Sequence, residues 1–355
     1  MSTNTPPKLS TARMLTWFAR HQRAMPWRPT STRQANPYHV LVSEAMLQQT
    51  QVATVMAYFE RFVAAFPTVE DLANADEQQV LTLWQGLGYY RRARNLHAAA
   101  KAVANHHNGH VPTTATELLK LPGVGRYTAG AVASVAYNTP EPIVDGNVAR
   151  VYARFYGLRD AIDQPATLKQ LWLLAEHNVT ASKSPRDFNQ SVMELGALVC
   201  TPKKPNCLTC PLKNHCVALA TNDVAALPFK TPKKKPTAVT HRVLALQKGN
   251  QYLFVQRPTK GLWSNMWQMP TDESEGVDLA ESLGLKTNTP QEIDSFTHQT
   301  THRTVTFNVQ HAAVTGGRLK PKAGVWRRLN QLDDLPLAKP QQLVVALCSE
   351  KKNKK

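Results

Sequence analysis

The sequence predicts a mainly α-helical domain followed by a smaller α+β domain. Apolar residues recur at three- and four-residue spacing from residue 10 to about residue 220. The composition then breaks at a Pro/Lys-rich stretch, and beyond it the apolar period becomes two. At 355 residues the chain is long for one domain and large enough to bury a real core. Its 42% hydrophobic and 19% charged content excludes a wholly disordered chain.

The elements follow in order. Leu15, Trp17 and Phe18 form an apolar edge before His21, and Tyr38–Met46 and Val52–Val63 continue the helical spacing. Arg91–His107 is Ala-rich with basic residues on one face, and Arg126–Tyr137, Val148–Tyr156 and Phe188–Val199 read as further helices. Phe66-Pro67, Gly86-Leu87-Gly88 and Leu121-Pro122-Gly123-Val124-Gly125 separate them. Residues 223–238, with Leu227-Pro228 and Lys233-Lys234-Lys235-Pro236, read as a stiff, solvated linker. Beyond it His241–Gln247, a turn at Lys248-Gly249-Asn250, and Tyr252–Gln256 make a hairpin pattern. Thr304–His311 and Val325–Leu329 are strand candidates, and Pro340–Ser349 a closing helix.

Lys and Arg exceed Asp and Glu by 17. Eight of those charges sit in the Pro/Lys run and the C-terminal tail, so +9 remains through the body of the chain. That surplus favours nucleic acid or an anionic surface as partner. Met1 to Ser10 is polar with two prolines, so no secretory signal is expected. Ala129–Tyr137 is too short to span a bilayer.

Four of the five cysteines, Cys200, Cys207, Cys210 and Cys216, crowd into C-x6-C-x2-C-x5-C. In a chain without an export signal that predicts metal rather than disulfides, and four thiolates suit either zinc or an iron–sulfur cluster. A structural role is expected of them, because no electron-transfer motif accompanies them. Cys348 reads as a small apolar helix residue.

The run LPGVG at Leu121–Gly125, followed by Arg126, joins two helices through glycines that allow close backbone approach. Amides there can take up a phosphate oxygen without reading base sequence; the bland alternative is a plain helix–helix turn.

These residues carry a resemblance. LPGVGRYTAGA at 121–131 resembles the helix–hairpin–helix motif of the endonuclease III-like DNA glycosylases, and the cysteine spacing is similar to that superfamily's 4Fe–4S loop. SEAMLQQTQV at 43–52, GLGYY at 86–90, VDGNVAR at 144–150 and MELGA at 193–197 resemble the MutY-type adenine DNA glycosylases. The resemblance implies a helical glycosylase domain over 8–222, with the hairpin motif near 113–137 and one 4Fe–4S cluster on the loop 200–216. It implies a linker over 223–238 and a Nudix-like 8-oxoguanine recognition domain over 239–350. It further implies hydrolysis of the N-glycosidic bond of adenine mispaired with 8-oxoguanine or guanine in double-stranded DNA. The protein would be a bacterial, cytoplasmic, nucleoid-associated monomer with no membrane partner.

That chemistry needs one carboxyl to stay protonated and another to stay charged. Glu44 lies among apolar neighbours whose burial raises a carboxyl pKa, and by resemblance it is the general acid. Asp145 precedes a helix and reads from sequence as an N-cap; the resemblance makes it the carboxylate facing the sugar cation, with Asn147 orienting acid and water. Tyr127 stands where strand-cutting members carry a Schiff-base lysine, which implies a monofunctional enzyme. Gln48, Gln49, Thr50 and Tyr89 resemble residues that enter the duplex beside the lesion, and Gly123, Gly125 and Arg126 would hold a phosphate. Met25, Trp27, Arg28 and Gln190 resemble the adenine pocket. Thr301 and His302 stand in the lesion-sensing loop, where a polar β-turn is an equal reading; Thr300 replaces the family's phenylalanine there. Asp272-Glu273-Ser274-Glu275 does not make the glutamate-rich box that a Nudix hydrolase needs. The rival readings are a bifunctional pyrimidine-lesion glycosylase and a non-catalytic DNA-binding module.

Overall fold

The structure is a computed structural model that describes residues 9–28, 35–232, 235–273 and 277–353. Lys233 and Lys234 of the linker, Lys354 and Lys355 of the tail, and Ser274 and Glu275 of the acidic run lie outside the described residues. The chain separates into two compact units. One holds the described residues up to Asn74 together with Asn95–Pro232; the other holds Ala75–Arg94 and the described residues after Pro232.

The helical unit contains α1 (Thr11–His21), α2 (Pro37–Leu47), α3 (Val52–Ala65) and α4 (Val69–Asn74). After α5 (Glu77–Trp84), which belongs to the second unit, comes α6 (Arg91–His106), whose residues from Asn95 onward belong to the first. It continues with α7 (Ala115–Leu118), α8 (Arg126–Tyr137), α9 (Gly146–Tyr156), α10 (Pro165–Thr180), α11 (Pro185–Leu198) and α12 (Val217–Ala220). Its core joins Met14, Trp17 and Phe18 of α1 to Val151, Tyr152 and Phe155 of α9 and to Phe188, Val192 and Leu195 of α11. α10 carries no clear amphipathic period in the sequence because its exposed face holds Leu168 and Leu173, which blurs the polar stripe.

Residues 227–231 depart from a solvated linker. Leu227 is buried, its carbonyl accepts from Arg154 Nε at 2.9 Å, Phe229 O accepts from the Ile162 amide, and the Thr231 amide donates to Asp163 Oδ1. Pro and Lys composition signals solvation; these backbone bonds dock the segment on the helical unit instead.

The second unit is built on a mixed sheet. Its strands are β1 (Thr237–Lys248), β2 (Gln251–Gln256), β3 (Trp267–Gln268), β4 (Thr271–Asp272), β5 (Leu285–Thr287), β6 (Gln291–Gln299), β7 (Arg303–Gly317) and β8 (Val325–Arg327). The main path runs β3-β2-β1-β7-β5, with β4 on β1, β6 on β7 and β8 on β2. The predicted hairpin is present: Lys248 faces Gln251, and Gly249 takes φ +59°, which glycine adopts freely. β1 and β7 pair in parallel over eleven residues, from Thr237 against Arg303 to Gln247 against Ala313. β6 is missed by period alone, because its residues are exposed or only half-buried, without a regular alternation. A short helix, α13 (Leu279–Ser282), precedes β5, and α14 (Lys339–Asn353) packs Val344 and Cys348 on the sheet face that holds Val243, Phe254 and Phe307.

The segment Ala75–Arg94 is bonded to this unit. Asn265 Nδ2 donates to Glu77 Oε1 at 2.6 Å, Trp267 Nε1 to Gln78 Oε1 at 2.9 Å, and the Leu337 amide to Gln85 Oε1 at 3.0 Å. Phe307 is 1% exposed at the centre of the sheet and stacks on Phe296 at 5.1 Å. Phe307→Ala is expected to cost about 3–5 kcal/mol in chemical denaturation; a loss under ~1 kcal/mol would show that the face repacks freely.

Candidate active site

The site is assembled from α2, α8, α9 and α11 of the helical unit, where α2 packs on α8, and α8 and α9 pack on α11. α2 starts where Asn36 Oδ1 accepts the Tyr38 and His39 amides and Pro37 presets the first helical φ. Tyr38 and every residue from Val40 to Met46 are buried. Such a helix cannot turn a polar face to water, so Glu44, 6% exposed, is carried into the interior. Its Oε2 has no hydrogen-bond partner among the described residues. Burial pushes its carboxyl up to about 7, against the opposing effect of a hydrogen bond from Tyr127 and with a smaller push from the charge of Asp145.

Tyr127 sits in the first turn of α8. Burial, Glu44 and Asp145 raise its phenol well above the ordinary value, so it stays a hydrogen-bond donor. No amine stands in its place. Lys120, before the hairpin, is exposed and ion-paired with Glu117 at 2.6 Å.

Asp145 caps α9: its Oδ1 accepts the Val148 amide at 2.7 Å, and its Oδ2 accepts from Asn147 Nδ2 at 3.2 Å. Burial raises its carboxyl, while the Val148 and Asn147 donors and the Arg150 charge pull the other way. Asn147 is held in turn by Arg150, whose Nη2 donates to Asn147 Oδ1 at 2.8 Å and to Gly196 O at 2.7 Å, and whose Nε donates to Cys200 O at 2.7 Å. α11 approaches so closely that a Cβ on Gly196 would stand 2.6 Å from Asn147 Cβ.

Arg28, 7% exposed, donates from Nε to Gln190 Oε1 at 2.8 Å and from Nη2 to Glu194 Oε2 at 3.3 Å. Gln190 is therefore buried and engaged rather than facing solvent. Glu194, which sequence reasoning quotes only as part of a motif, takes Arg23 through its amide, Nε and Nη2. These donors hold its carboxyl below the ordinary range in spite of burial. A glutamate spaced for the inward face of a helix rich in small and apolar residues was the available signal. Met25 and Trp27 are buried, Trp27 edge-on to Phe59.

Gln48 Nε2 stands 3.5 Å from Thr128 Oγ1, half-buried Thr50 closes the turn after α2 through its amide, and Gln49 is exposed with φ +59°. In the second unit Tyr89 is 49% exposed with φ +48°, and its hydroxyl lies 3.2 Å from Thr301 Oγ1. Left-handed backbone at two non-glycine residues costs free energy that neither local sequence offsets. Thr300 closes the turn before β7 by pairing with Arg303, which leaves Thr301 and His302 exposed at its tip. In the hairpin, Gly123 has φ +74°, and a Cβ there would stand 2.4 Å from Asn95 Cβ. Gly125 caps α8 without a side chain.

The four cysteines of 200–216 line one cavity with Val151, Phe155 and Leu195. Burial raises the thiols of Cys207 and Cys216 and pushes that of Cys210 up to about 12. Burial of this kind disfavours the thiolate, which the charge of a bound metal would restore. No helix among the described residues is long and apolar enough to cross a membrane.

The profile of HhH-GPD superfamily base excision DNA repair proteins matches residues 42–177, and that of the NUDIX domain matches 242–347. A solved thermostable thymine-DNA glycosylase superposes with a TM-score of 0.53 at 30% identity, covering 59% of this chain and 95% of its own. Fold and site thus define a base excision DNA glycosylase with an appended NUDIX-type domain. The adenine DNA glycosylase of Buchnera aphidicola (subsp. Schizaphis graminum) is 32% identical over 341 residues, 94% of this chain and 97% of its own. The human adenine DNA glycosylase is 38% identical over 310 residues, 73% of this chain and 56% of its own. The chain belongs to the adenine DNA glycosylase family.

Glu44 keeps its proton to about pH 7 when folded but only to the ordinary 4.5 when unfolded. Its contribution to stability is therefore complete below pH 4.5 and is lost as the pH rises through 7. Glu44→Gln removes that loss: the variant is expected to gain on the wild type between pH 5 and pH 8, by about 3 kcal/mol at most. Denaturant curves at the two pH values measure the gap, and its absence would mean that Glu44 titrates like a surface carboxyl.

Proposed function

We propose that the protein flips adenine out of double-stranded DNA, where it is mispaired with 8-oxoguanine or guanine, and hydrolyses its N-glycosidic bond. It leaves an abasic site and does not cut the strand efficiently. The observation that carries this reading is Glu44: a buried carboxyl, protonated to about pH 7, with one oxygen unpartnered and the Tyr127 phenol on the carboxyl. A buried acid with a free oxygen is suited to hand its proton to a purine nitrogen. Asp145, fixed by the α9 amides and Asn147, supplies the negative charge that stabilises an oxocarbenium-like sugar. After base loss, Glu44 in its ionised form accepts the proton of the attacking water. The Arg28, Gln190 and Glu194 set, with Met25 and Trp27, offers the polar and apolar walls of an adenine pocket.

The hairpin Gly123, Gly125 and Arg126 is read as a phosphate grip, and Gln48, Gln49 and Thr50 as residues entering the duplex. The Tyr89–Thr301 contact supports a role for both in sensing the lesion, with His302 beside them. The catalytic domain is read as 8–222, the linker as 223–238 and the recognition domain as 239–350, with Ala75–Arg94 grouping with the second of these domains and the linker up to Pro232 grouping with the first; the protein is read as a cytoplasmic monomer. Cys200, Cys207, Cys210 and Cys216 would hold one 4Fe–4S cluster. The four thiols line one cavity, which suits a thiolate-bound centre, and the likeness of their spacing to the family's loop favours the cluster over zinc. When bound, the cluster fixes this loop; the proton steps belong to Glu44.

Single-turnover base release opposite 8-oxoguanine, guanine and thymine, read with and without alkali, tests the activity. Wild type should give strand breaks only after alkali, and borohydride should trap no enzyme–DNA adduct. Glu44→Gln should lose about 10²–10⁴-fold in rate while still binding the mismatch. The wild-type rate should fall about tenfold per pH unit above 7, where the acid form is lost. A wild-type rate in Glu44→Gln would remove the proposal. Iron and sulfide analysis of the isolated protein should return both elements; zinc alone would reject the cluster.

A further inference from the structure

Arg126 opens α8 directly after the glycine hairpin, and its guanidinium lies 4.0 Å from the ring centroid of Trp172. Trp172 is on α10 and is 8% exposed, so its ring is a fixed platform rather than a mobile one. Arg126 itself is exposed, and no carboxylate pairs with it among the described residues.

A cation in the first turn of a helix faces the positive end of the helix dipole and is out of place for stability. The first turn of α8 carries no acidic residue to relieve it, and Gly125 offers no side-chain cap. Stacking on an indole face offsets such a cost, and only a planar guanidinium can use it fully. The arrangement keeps a positive charge unspent beside amides that are themselves open to an anion.

We propose that Trp172 is a positioning residue for DNA binding. Its ring holds the Arg126 guanidinium at the hairpin, so that the charge and the α8 amides meet the same backbone phosphate. The inference rests on reading the hairpin as a phosphate grip.

A double-mutant cycle on the full-length protein tests it, with affinity for a labelled duplex carrying an A·G mismatch measured across a salt series. Arg126→Met is expected to weaken binding about three- to tenfold and to lower the salt slope by about 0.9. Trp172→Leu should weaken it about threefold in the wild-type background and not at all in the Arg126→Met background. Trp172→Phe keeps a ring and should restore most of the loss; thermal melts check that each variant is folded. Equal losses from Trp172→Leu in both backgrounds, or no restoration by phenylalanine, would overturn the positioning role while leaving the grip intact. An unchanged affinity and salt slope in Arg126→Met would overturn the grip itself, and this inference with it.

Discussion

A carboxyl group removed from water governs this molecule. Glu44 is carried inward by a helix buried on every side from Val40 to Met46, and one of its oxygens finds no hydrogen-bond partner among the described residues. The cost falls on the charged form, so the group keeps its proton near neutrality. The rest of the helical unit is arranged around that fact. α8 brings a phenol that keeps its proton and so can donate, α9 brings a second carboxyl fixed by its own helix amides, and α11 packs against both, with Gly196 set against Asn147. Two acids in one site are pushed in the same direction by burial; Glu44 is countered by the Tyr127 hydroxyl, Asp145 by backbone and side-chain donors together with the Arg150 charge. The roles proposed for the two carboxyls draw on that difference in hydrogen bonding.

The supporting shell is a chain of arginines. Arg150 reaches the carboxamide of Asn147 and the backbone of Gly196 and Cys200 at once. Arg154, one turn on, is almost fully buried and gathers Thr201 O, Pro202 O and Leu227 O, with Nη1 3.3 Å from Cys200 Sγ. Planar guanidinium forks satisfy several carbonyls in fixed directions, which a lysine cannot do. The loop carrying the cysteines and the backbone after it are thus positioned from α9, the helix that Asp145 begins.

Much of this was legible in the residues. The start of α8 follows from the glycines before it, and the β1–β2 hairpin follows from its period and its Gly-Asn turn. The burial of Glu44 follows from its neighbours. What escaped depends on meetings between segments distant in the chain. The pairing of Glu194 with Arg23 and Arg28, the Tyr127–Glu44 bond and the stacking of Arg126 on Trp172 have no periodic trace. β6 and α10 escaped for a different reason: one side of each is neither clearly polar nor clearly apolar. The Pro/Lys stretch misled because composition reports side chains, whereas its docking is made by backbone atoms.

Gly196 illustrates how a residue without functional groups can govern chemistry. It leaves just enough room for the side chain that braces Asp145, and any larger residue would press on that brace. A larger side chain there would shift that brace, and with it the carboxylate to which the proposed mechanism assigns the sugar cation, while every proposed reacting group remained present. Inherited or selected variants of this chain are therefore best sorted by what their atoms would displace, not by whether the altered residue ever meets the nucleic acid.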